Sequence, residues 1–329
     1  MVYFRIGLQL LVLLCVSCTS SSNGGDGSDE YTQNAILQEL YITPQTDTQC
    51  ESVYSDSFDS GSMVCAGDSE VGVCSGDSGG PLFYDDGTDN ILLGVTSWTI
   101  NNCEYTYYKY GGFADVYEFV GWIEATTNYD ITATSMEHSD SIVQPTIIGG
   151  IDAETDNHEY FVTLMTKYPD YTGYYYPFCG GSYLGDGWVL TAAHCVDDLS
   201  SEEQIYLLVG NYSDEMAYEV CTYDEFGVDC TWSADSESED ATGFVLYIGS
   251  YLEIHTVTGS DITVHDDWRG DVDDLENDIA LIQLGPSPWP SNESLSLPST
   301  DLFAELAEDA EQNPGSDISV MVIGHGLSD

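Results

Sequence analysis

The sequence predicts a folded, acidic protein from an oxidising compartment. Three observations carry that expectation. Apolar runs of strand length occur at Trp188–Thr191 and Ile279–Leu284, whereas Val116 to Thr127 shows a helical stripe with Val116, Phe119, Val120 and Ile123 on one face. Of the 329 residues, 42% are hydrophobic, and Tyr alone occurs 24 times. Such a chain can bury a core, which sets it apart from the disordered chains that share its charge. Ten Cys point to disulfide bonds.

The charge excludes several functions. There are 58 Asp plus Glu against 4 Lys plus Arg, a formal net charge of -54. A nucleic-acid binder needs Lys and Arg to displace phosphate counterions, so no nucleic-acid partner is expected. Attraction to anionic lipid is equally disfavoured. Many carboxylates and almost no Lys suit a protein kept soluble in high salt, where screening tames self-repulsion. A halophilic or marine source is the expectation, with lower stability in dilute buffer.

Residues 1–18 read as an export signal: Arg5 supplies a positive end and Ile6 to Val16 is nearly unbroken apolar sequence. That run is short for a bilayer span, and no other segment reads as transmembrane. The protein is therefore expected to be secreted. A second reading anchors it to the cell surface by lipid on Cys18, because Cys15-Val16-Ser17-Cys18 precedes a Ser/Gly tether. Residues 19–32 have the composition of an acidic Gly/Ser linker.

With Cys15 and Cys18 assigned to the signal, eight Cys remain: Cys50, Cys65, Cys74, Cys103, Cys179, Cys195, Cys221 and Cys230. Eight Cys allow about 105 pairings, so spacing alone assigns none. No Cys/His grouping has zinc spacing, and no metal centre is expected.

Three segments carry chemistry. Cys74-Ser75-Gly76-Asp77-Ser78-Gly79-Gly80-Pro81 places a Ser between glycines, which let the backbone turn sharply and let N–H groups converge on whatever the Ser attacks. Trp188-Val189-Leu190-Thr191-Ala192-Ala193-His194-Cys195 is a strand run ending in a His. Asn277-Asp278-Ile279-Ala280-Leu281-Ile282 sets an Asp ahead of another strand. Each has a plain structural reading: a Gly/Ser turn, a core His, a strand-capping acid. Together they supply a nucleophile, a base to activate it and an acid to fix the base's tautomer.

These segments resemble the signature blocks of trypsin-like, chymotrypsin-fold serine proteases. Ile147-Ile148-Gly149-Gly150 resembles that family's mature N-terminus, and Ser97-Trp98-Thr99 resembles its substrate-pairing segment. The resemblance implies two antiparallel six-stranded β-barrels and a short closing helix. The order of the blocks differs from the family's, because Ser78 and the helix precede Ile147, His194 and Asp278. That order implies a circularly permuted chain. The second barrel, with the nucleophile and closing helix, is expected from residues 33–127. A connector and activation segment follows at 128–146. The first barrel occupies 147–285 and an inter-barrel connection 286–315. The first strand of the second barrel falls in 316–329, where Val320 to Gly326 looks like that strand with His325 in place of the usual Trp. A mis-assembled gene, an engineered chain or a junction of two tandem copies would give the same order.

The resemblance further implies roles. Ser78 is the nucleophile, His194 the general base and then acid, and Asp278 its orienting partner, hydrogen-bonded by Ser97. The N–H groups of Gly76 and Ser78 form the oxyanion hole. After cleavage at Thr146–Ile147, the freed Ile147 amine pairs with Asp77. The specificity pocket has Gly72 at its base beside Val73, with walls at Thr99 and Gly111 and Trp98 alongside. No anion waits there for Arg or Lys, so small to medium apolar side chains are expected. The implied disulfides are Cys50–Cys65, Cys74–Cys103 and Cys179–Cys195, which leaves Cys221–Cys230 in an insertion. Substrates are polypeptides, protein protease inhibitors are further partners, and the expected state is a monomer without cofactor.

Weaker signals remain. Carboxylates in Asp214 to Asp240 suit Ca²⁺, although a solvated acidic loop is the plainer reading. Tyr110 stands where relatives with Tyr or Phe bind Na⁺. Tyr105, Tyr107, Tyr108 and Tyr110 line the cleft or serve as scaffold. Arg269-Gly270-Asp271 is an integrin-type tripeptide best read as loop composition, and Asn211 and Asn292 head glycosylation sequons. The rival classes are a catalytically silent binding protein, a permanently inactive zymogen and an acidic Ca²⁺-binding surface protein.

Overall fold

The computed structural model describes residues 32–33, 37–67, 72–99, 110–128, 151–153, 158–167, 174–210, 217–224, 227–232, 244–247, 254–270, 275–284, 294–314, 316, 318–325 and 327–328. The expected signal, most of the linker and residues 129–150 lie outside this set, as do Cys103 and the Tyr105–Tyr108 cluster. All strand pairs in ladders are antiparallel.

One sheet has eight strands, in the spatial order Pro44–Gln45, Met63–Ala66, Gly111–Asp115, Asn90–Trp98, Pro81–Asp85, Val320–Gly324, Gln38–Ile42 and Ile151–Asp152. Its first and seventh members are one stretch of chain broken only at Thr43, so the ladder returns to its start and the sheet closes. The second sheet has ten strands. Seven follow one another from His255–Thr258 through Gln204–Val209, Phe161–Lys167, Tyr174–Gly185, Trp188–Thr191 and Ala280–Gln283 to Ile262–Val264. Here too the ends belong to one stretch, split by the single-turn helix Gly259–Asp261.

These strand counts exceed the six expected for each barrel. The broken stretch adds one strand to each sheet. Ile151–Asp152 adds one more to the first, and the arm Ala217–Asp224, Gly227–Trp232 and Phe244–Tyr247, built on Tyr174 and Tyr175, adds three to the second. The ends of the described chain meet: Thr32 pairs with Ser328 and Gln33 with Leu327. Val320–Gly324 is sandwiched, with Val322 opposite Leu40 on one side and Leu82 on the other.

Among the described residues, three α-helices decorate the sheets. α1, Asp47–Tyr54, starts with a reciprocal cap between Thr46 and Gln49. α2, Val116–Thr127, is the helix read from the apolar stripe; Asp115 caps it by accepting from Tyr117 N–H, and Asn128 ends it in the left-handed conformation. α3, Leu302–Gln312, falls where only a connection was expected. It buries Leu302, Phe303, Leu306 and Ala307 against the eight-stranded sheet. One continuous core runs between the barrels, joining Phe83, Leu92 and Ile323 to Phe161, Leu190 and Leu281. Among the described residues no helix is long and apolar enough to cross a membrane.

Candidate active site

Strand pairing brings His194 and Asp278 together. Thr191 lies opposite Ala280, so the chain leaving one strand and the chain entering the other meet at the same sheet end. His194 sits in a single-turn helix, Ala193–Cys195, directly after Trp188–Thr191. Asp278 precedes Ala280–Gln283 and follows Asn277, whose φ is 62°. The Asp278 carboxylate accepts three hydrogen bonds: from His194 Nδ1 at 2.7 Å, from His194 N–H at 2.8 Å and from Ser97 Oγ at 2.5 Å. Asp278 itself is 1% exposed.

The imidazole remains 31% exposed and so open to a reactant. Partial burial acts to lower its pKa. The Asp278 charge and hydrogen bond, with a smaller push from Asp197, outweigh that and raise it above the ordinary His value. With Nδ1–H given to Asp278, the neutral ring keeps its lone pair on Nε2.

Ser78 comes from the other barrel, on the turn that precedes Pro81–Asp85. Glycines make the turn possible: Gly76 has φ 101° and Gly79 φ 79°. Gly79 N–H donates to Thr96 O at 2.7 Å, and Gly180 N–H donates to Ser78 O at 2.7 Å, which ties the turn across to the first barrel. A Cβ on Gly79 would lie 2.3 Å from Thr191 Oγ1 and 2.4 Å from Gly180 O. The Ser78 turn is thus pressed against the strand end that delivers His194, with no room between them. Asp77 accepts from Cys74 N–H at 2.8 Å, and its Oδ1 abuts Gly324.

Among the expected pocket residues, Val73 and Gly111 are in contact. Val73 is buried and packs on Gly111, where an added Cβ would stand 2.5 Å from Val73 Cγ2. Thr99 and Gly72 are both half-buried. The Trp98 indole lies on Gly112, where a Cβ would meet it at 2.0 Å. Tyr54 meets Trp98 edge-on at 4.7 Å and accepts from Tyr110 N–H at 3.1 Å. Its hydroxyl also donates to Tyr110 O. Gly112 and Tyr54 went unread in the sequence; a Gly pair beside an aromatic-rich segment was the available signal.

Cys50–Cys65 and Cys179–Cys195 are disulfides. Cys74 is disulfide-bonded as well, and its expected partner Cys103 lies outside the described residues. Cys221 and Cys230 face each other in register, although their side chains lie outside that set. Ile147, and Asp271 of the Arg269 tripeptide, also lie outside it. Donor atoms of Cys179, His194 and Cys195 fall within 4.8 Å of one another, a grouping the sequence spacing did not suggest. The two sulfurs are bonded to each other, so they offer no thiolate to a metal.

The sequence matches the Trypsin family over residues 16–123 and 147–235, more than half of its length. The chain belongs to the trypsin family. It is 34% identical over 108 residues to Trypsin-1 of Astacus astacus, covering 32% of this chain and 42% of that protein. It is 38% identical over 110 residues to Kallikrein-8 of Homo sapiens, covering 32% and 39%. To Transmembrane protease serine 9 of Rattus norvegicus it is 26% identical over 238 residues, covering 56% and 22%. The chain therefore spans between 22% and 42% of these relatives' own length. The crystal structure of the Drosophila Grass clip serine protease of the Toll pathway aligns with TM-score 0.31 and 16% identity, over 64% of this chain and 55% of that one.

Proposed function

We propose that this chain is a secreted serine endopeptidase that cleaves polypeptides through an acyl-enzyme on Ser78. The observation that carries the reading is the Asp278 carboxylate, which holds His194 by both Nδ1 and backbone N–H and is itself held by Ser97. His194 Nε2 takes the Ser78 proton as Oγ attacks the scissile carbonyl carbon. The N–H groups of Gly76 and Ser78 stabilise the oxyanion. The imidazolium then gives its proton to the leaving amine as the C–N bond breaks. Water repeats the sequence on the ester and frees the acid. No cofactor takes part. Neither Ca²⁺ at Asp214–Asp240 nor Na⁺ near Tyr110 is required by these steps.

Activation follows from cleavage at Thr146–Ile147. Across three strands, Gly324 stands opposite Gln38 and Gln38 opposite Asp152. Two strand spacings are about 10 Å. Asp77 lies against Gly324, while the four residue-to-residue steps from Ile147 to Ile151 reach about 13 Å when extended. A freed Ile147 amine is therefore within reach of Asp77. Gly72 and Val73 bring no charge to the pocket, which favours small to medium apolar side chains before the scissile bond. Pairing of Thr32–Gln33 with Leu327–Ser328, and insertion of Val320–Gly324 between earlier strands, support a permuted chain order.

A fluorophosphonate probe tests the assignment. After cleavage at Thr146–Ile147 it labels Ser78, and the uncut protein or a Ser78→Ala variant labels weakly or not at all. A correctly cut, folded protein that takes no label would sink the enzyme reading in favour of a silent binding protein.

A further inference from the structure

Ser78 and His194 come from different barrels, so their geometry depends on how the barrels dock. One tie is made by backbone: Gly180 N–H donates to Ser78 O at 2.7 Å. At the same place a Cβ on Gly180 would lie 2.9 Å from Gly80 Cα and 3.2 Å from Phe161 Cε2. The Phe161 ring thus lies where the Ser78 turn meets the first barrel.

A second tie is made by side chains just before Phe161. His158 is 8% exposed and takes φ 66°, a left-handed backbone uncommon outside glycine. Its ring has a partner at each nitrogen: Nε2 is 2.6 Å from Glu39 Oε2, and Nδ1 is 2.9 Å from the Tyr160 hydroxyl. An ionised carboxylate only accepts, so Nε2–H donates to Glu39. His158 and Tyr160 are fixed to the first barrel, because His158 O accepts from Phe161 N–H at 2.9 Å and Tyr160 O from Tyr183 N–H at 2.8 Å. Glu39 belongs to the second barrel, where it stands opposite Ile323. Phe83, on the strand that follows Ser78, meets the His158 ring edge-on at 6.1 Å and the Tyr160 ring at 5.4 Å. The strand led by Ser78 therefore touches the first barrel twice, at its turn and at His158.

We propose that Glu39 and His158 are positioning residues: their hydrogen bond clasps the barrels together and so seats the Ser78 turn against the strand that delivers His194. The proposal rests on the reading of Ser78 as the nucleophile. The core that joins the barrels through Phe83, Ile323 and Phe161 is apolar, and hydrophobic contact has no preferred direction. A hydrogen bond to a carboxylate has a set length and direction. A ring bonded at both nitrogens is also held against rotation. The Glu39 side chain is only 13% exposed, which shields the bond from water and salt.

The test is amide hydrogen exchange by NMR in the full chain, read at three N–H groups. Gly180 N–H, bonded to Ser78 O, crosses between the barrels. Thr96 N–H, bonded to Gly80 O, lies within the second barrel, and Leu284 N–H, bonded to Gly187 O, within the first. Glu39→Leu removes the clasp with little change in volume, and Glu39→Gln keeps an acceptor for His158 without the charge. Glu39→Leu is expected to speed exchange at Gly180 by about tenfold and Glu39→Gln by less, with Thr96 and Leu284 unchanged. In the cleaved protein, kcat of Glu39→Leu falls by about tenfold while KM holds, because the nucleophile is displaced and the pocket is not. Unchanged exchange at Gly180 would overturn the proposal. So would equal acceleration at all three amides, which marks a general loss of stability, or a Gly180 amide that opens while kcat holds. If Glu39→Leu does not fold, Glu39→Gln decides by the same three amides. The exchange measurement needs no turnover, so absence of peptidase activity in the wild type would count against the enzyme reading alone.

Discussion

The two barrels close by the same device and supply the site by different ones. Each ring is sealed by a single stretch of chain that serves as both first and last strand. In the first barrel, register does the positioning: two paired strands end together, and side-chain hydrogen bonds join His194 to Asp278. In the second barrel, Ser78 rides on a turn held by backbone hydrogen bonds and by the absence of side chains at Gly79 and Gly80. A side-chain bond is removed by one isosteric substitution with the fold left intact. A close backbone approach is broken by adding one carbon, and the fold suffers with it. The two halves therefore fail in different ways.

The largest effects separate chemistry from stability. Asp278→Asn reverses the donor and acceptor logic at Nδ1 and favours the wrong imidazole tautomer. It should lower kcat/KM on the order of 10⁴-fold. Ser78→Ala removes the nucleophile and should cost on the order of 10⁶-fold in kcat. Ser78→Ala should melt within a few degrees of wild type, because Ser78 is held through its carbonyl oxygen and not through its hydroxyl. Steady-state kinetics and thermal melts of the same samples check both. A Ser78→Ala variant that unfolds would show that the second barrel depends on the hydroxyl.

Gly79→Ala is the opposite kind of lesion. The new Cβ would stand 2.3 Å from Thr191 Oγ1 and 2.4 Å from the Gly180 carbonyl, at a φ that L residues avoid. Thr191 Oγ1 already bonds Gly180 O at 2.8 Å, so neither atom is free to retreat. A loss of about 3 kcal/mol or more is expected, with activity falling in parallel because Ser78 is displaced. Denaturant unfolding measures it, and a loss under about 1 kcal/mol would contradict the packing described.

Each barrel also buries one notable carboxylate, and the pair sharpens the contrast. Asp278 accepts three hydrogen bonds, two of them from His194. Asp115 is 5% exposed, accepts from Tyr117 N–H and faces Asp301, Glu118 and Asp47. Desolvation first, and then repulsion from Asp301, push its pKa up to about 7. A raised folded-state pKa means that the folded form binds the proton more tightly. Stability from this group is full below the unfolded value near 3.8 and is lost as pH rises through about 7. Asp115→Asn keeps a good helix cap without the charge. It should match wild type near pH 4 and exceed it above pH 8 by on the order of 4 kcal/mol. Melting temperatures across that range decide it, and a variant with no advantage at high pH would remove Asp115 as a source of strain.

Much of the candidate site was legible because its residues lie in short contiguous runs. Ser78 with its glycines, His194 after a strand and Asp278 before one each announced themselves within eight residues. α2 was legible from its apolar stripe. α3 was not, because Glu305, Glu308, Asp309 and Glu311 hide the stripe of Leu302, Phe303, Leu306 and Ala307 in an acidic segment that reads as a connector. Ring closure was illegible too, since it depends on where a strand bends and not on its composition. The hydrogen bond that Trp268 Nε1 donates to Asp197 Oδ2 joins residues 71 apart in sequence and leaves no pattern in either. Val73 against Gly111 needed coordinates for the same reason: a missing Cβ matters only when the neighbour that fills the space is known.

The smallest effect completes the comparison of glycines. Gly121 lies on the exposed face of α2, and a Cβ added there would meet nothing within 4 Å. No close approach and no positive φ requires glycine at this position, unlike Gly79. Ala in a helix interior loses less backbone entropy on folding, so Gly121→Ala should stabilise by about 1 kcal/mol with activity unchanged. The two glycines then bracket the second barrel. One carbon added at the Ser78 turn destroys the site, and the same carbon on the closing helix strengthens the scaffold. If Gly121→Ala instead destabilises, α2 meets something outside the described residues, and the exposed face assigned to it is wrong.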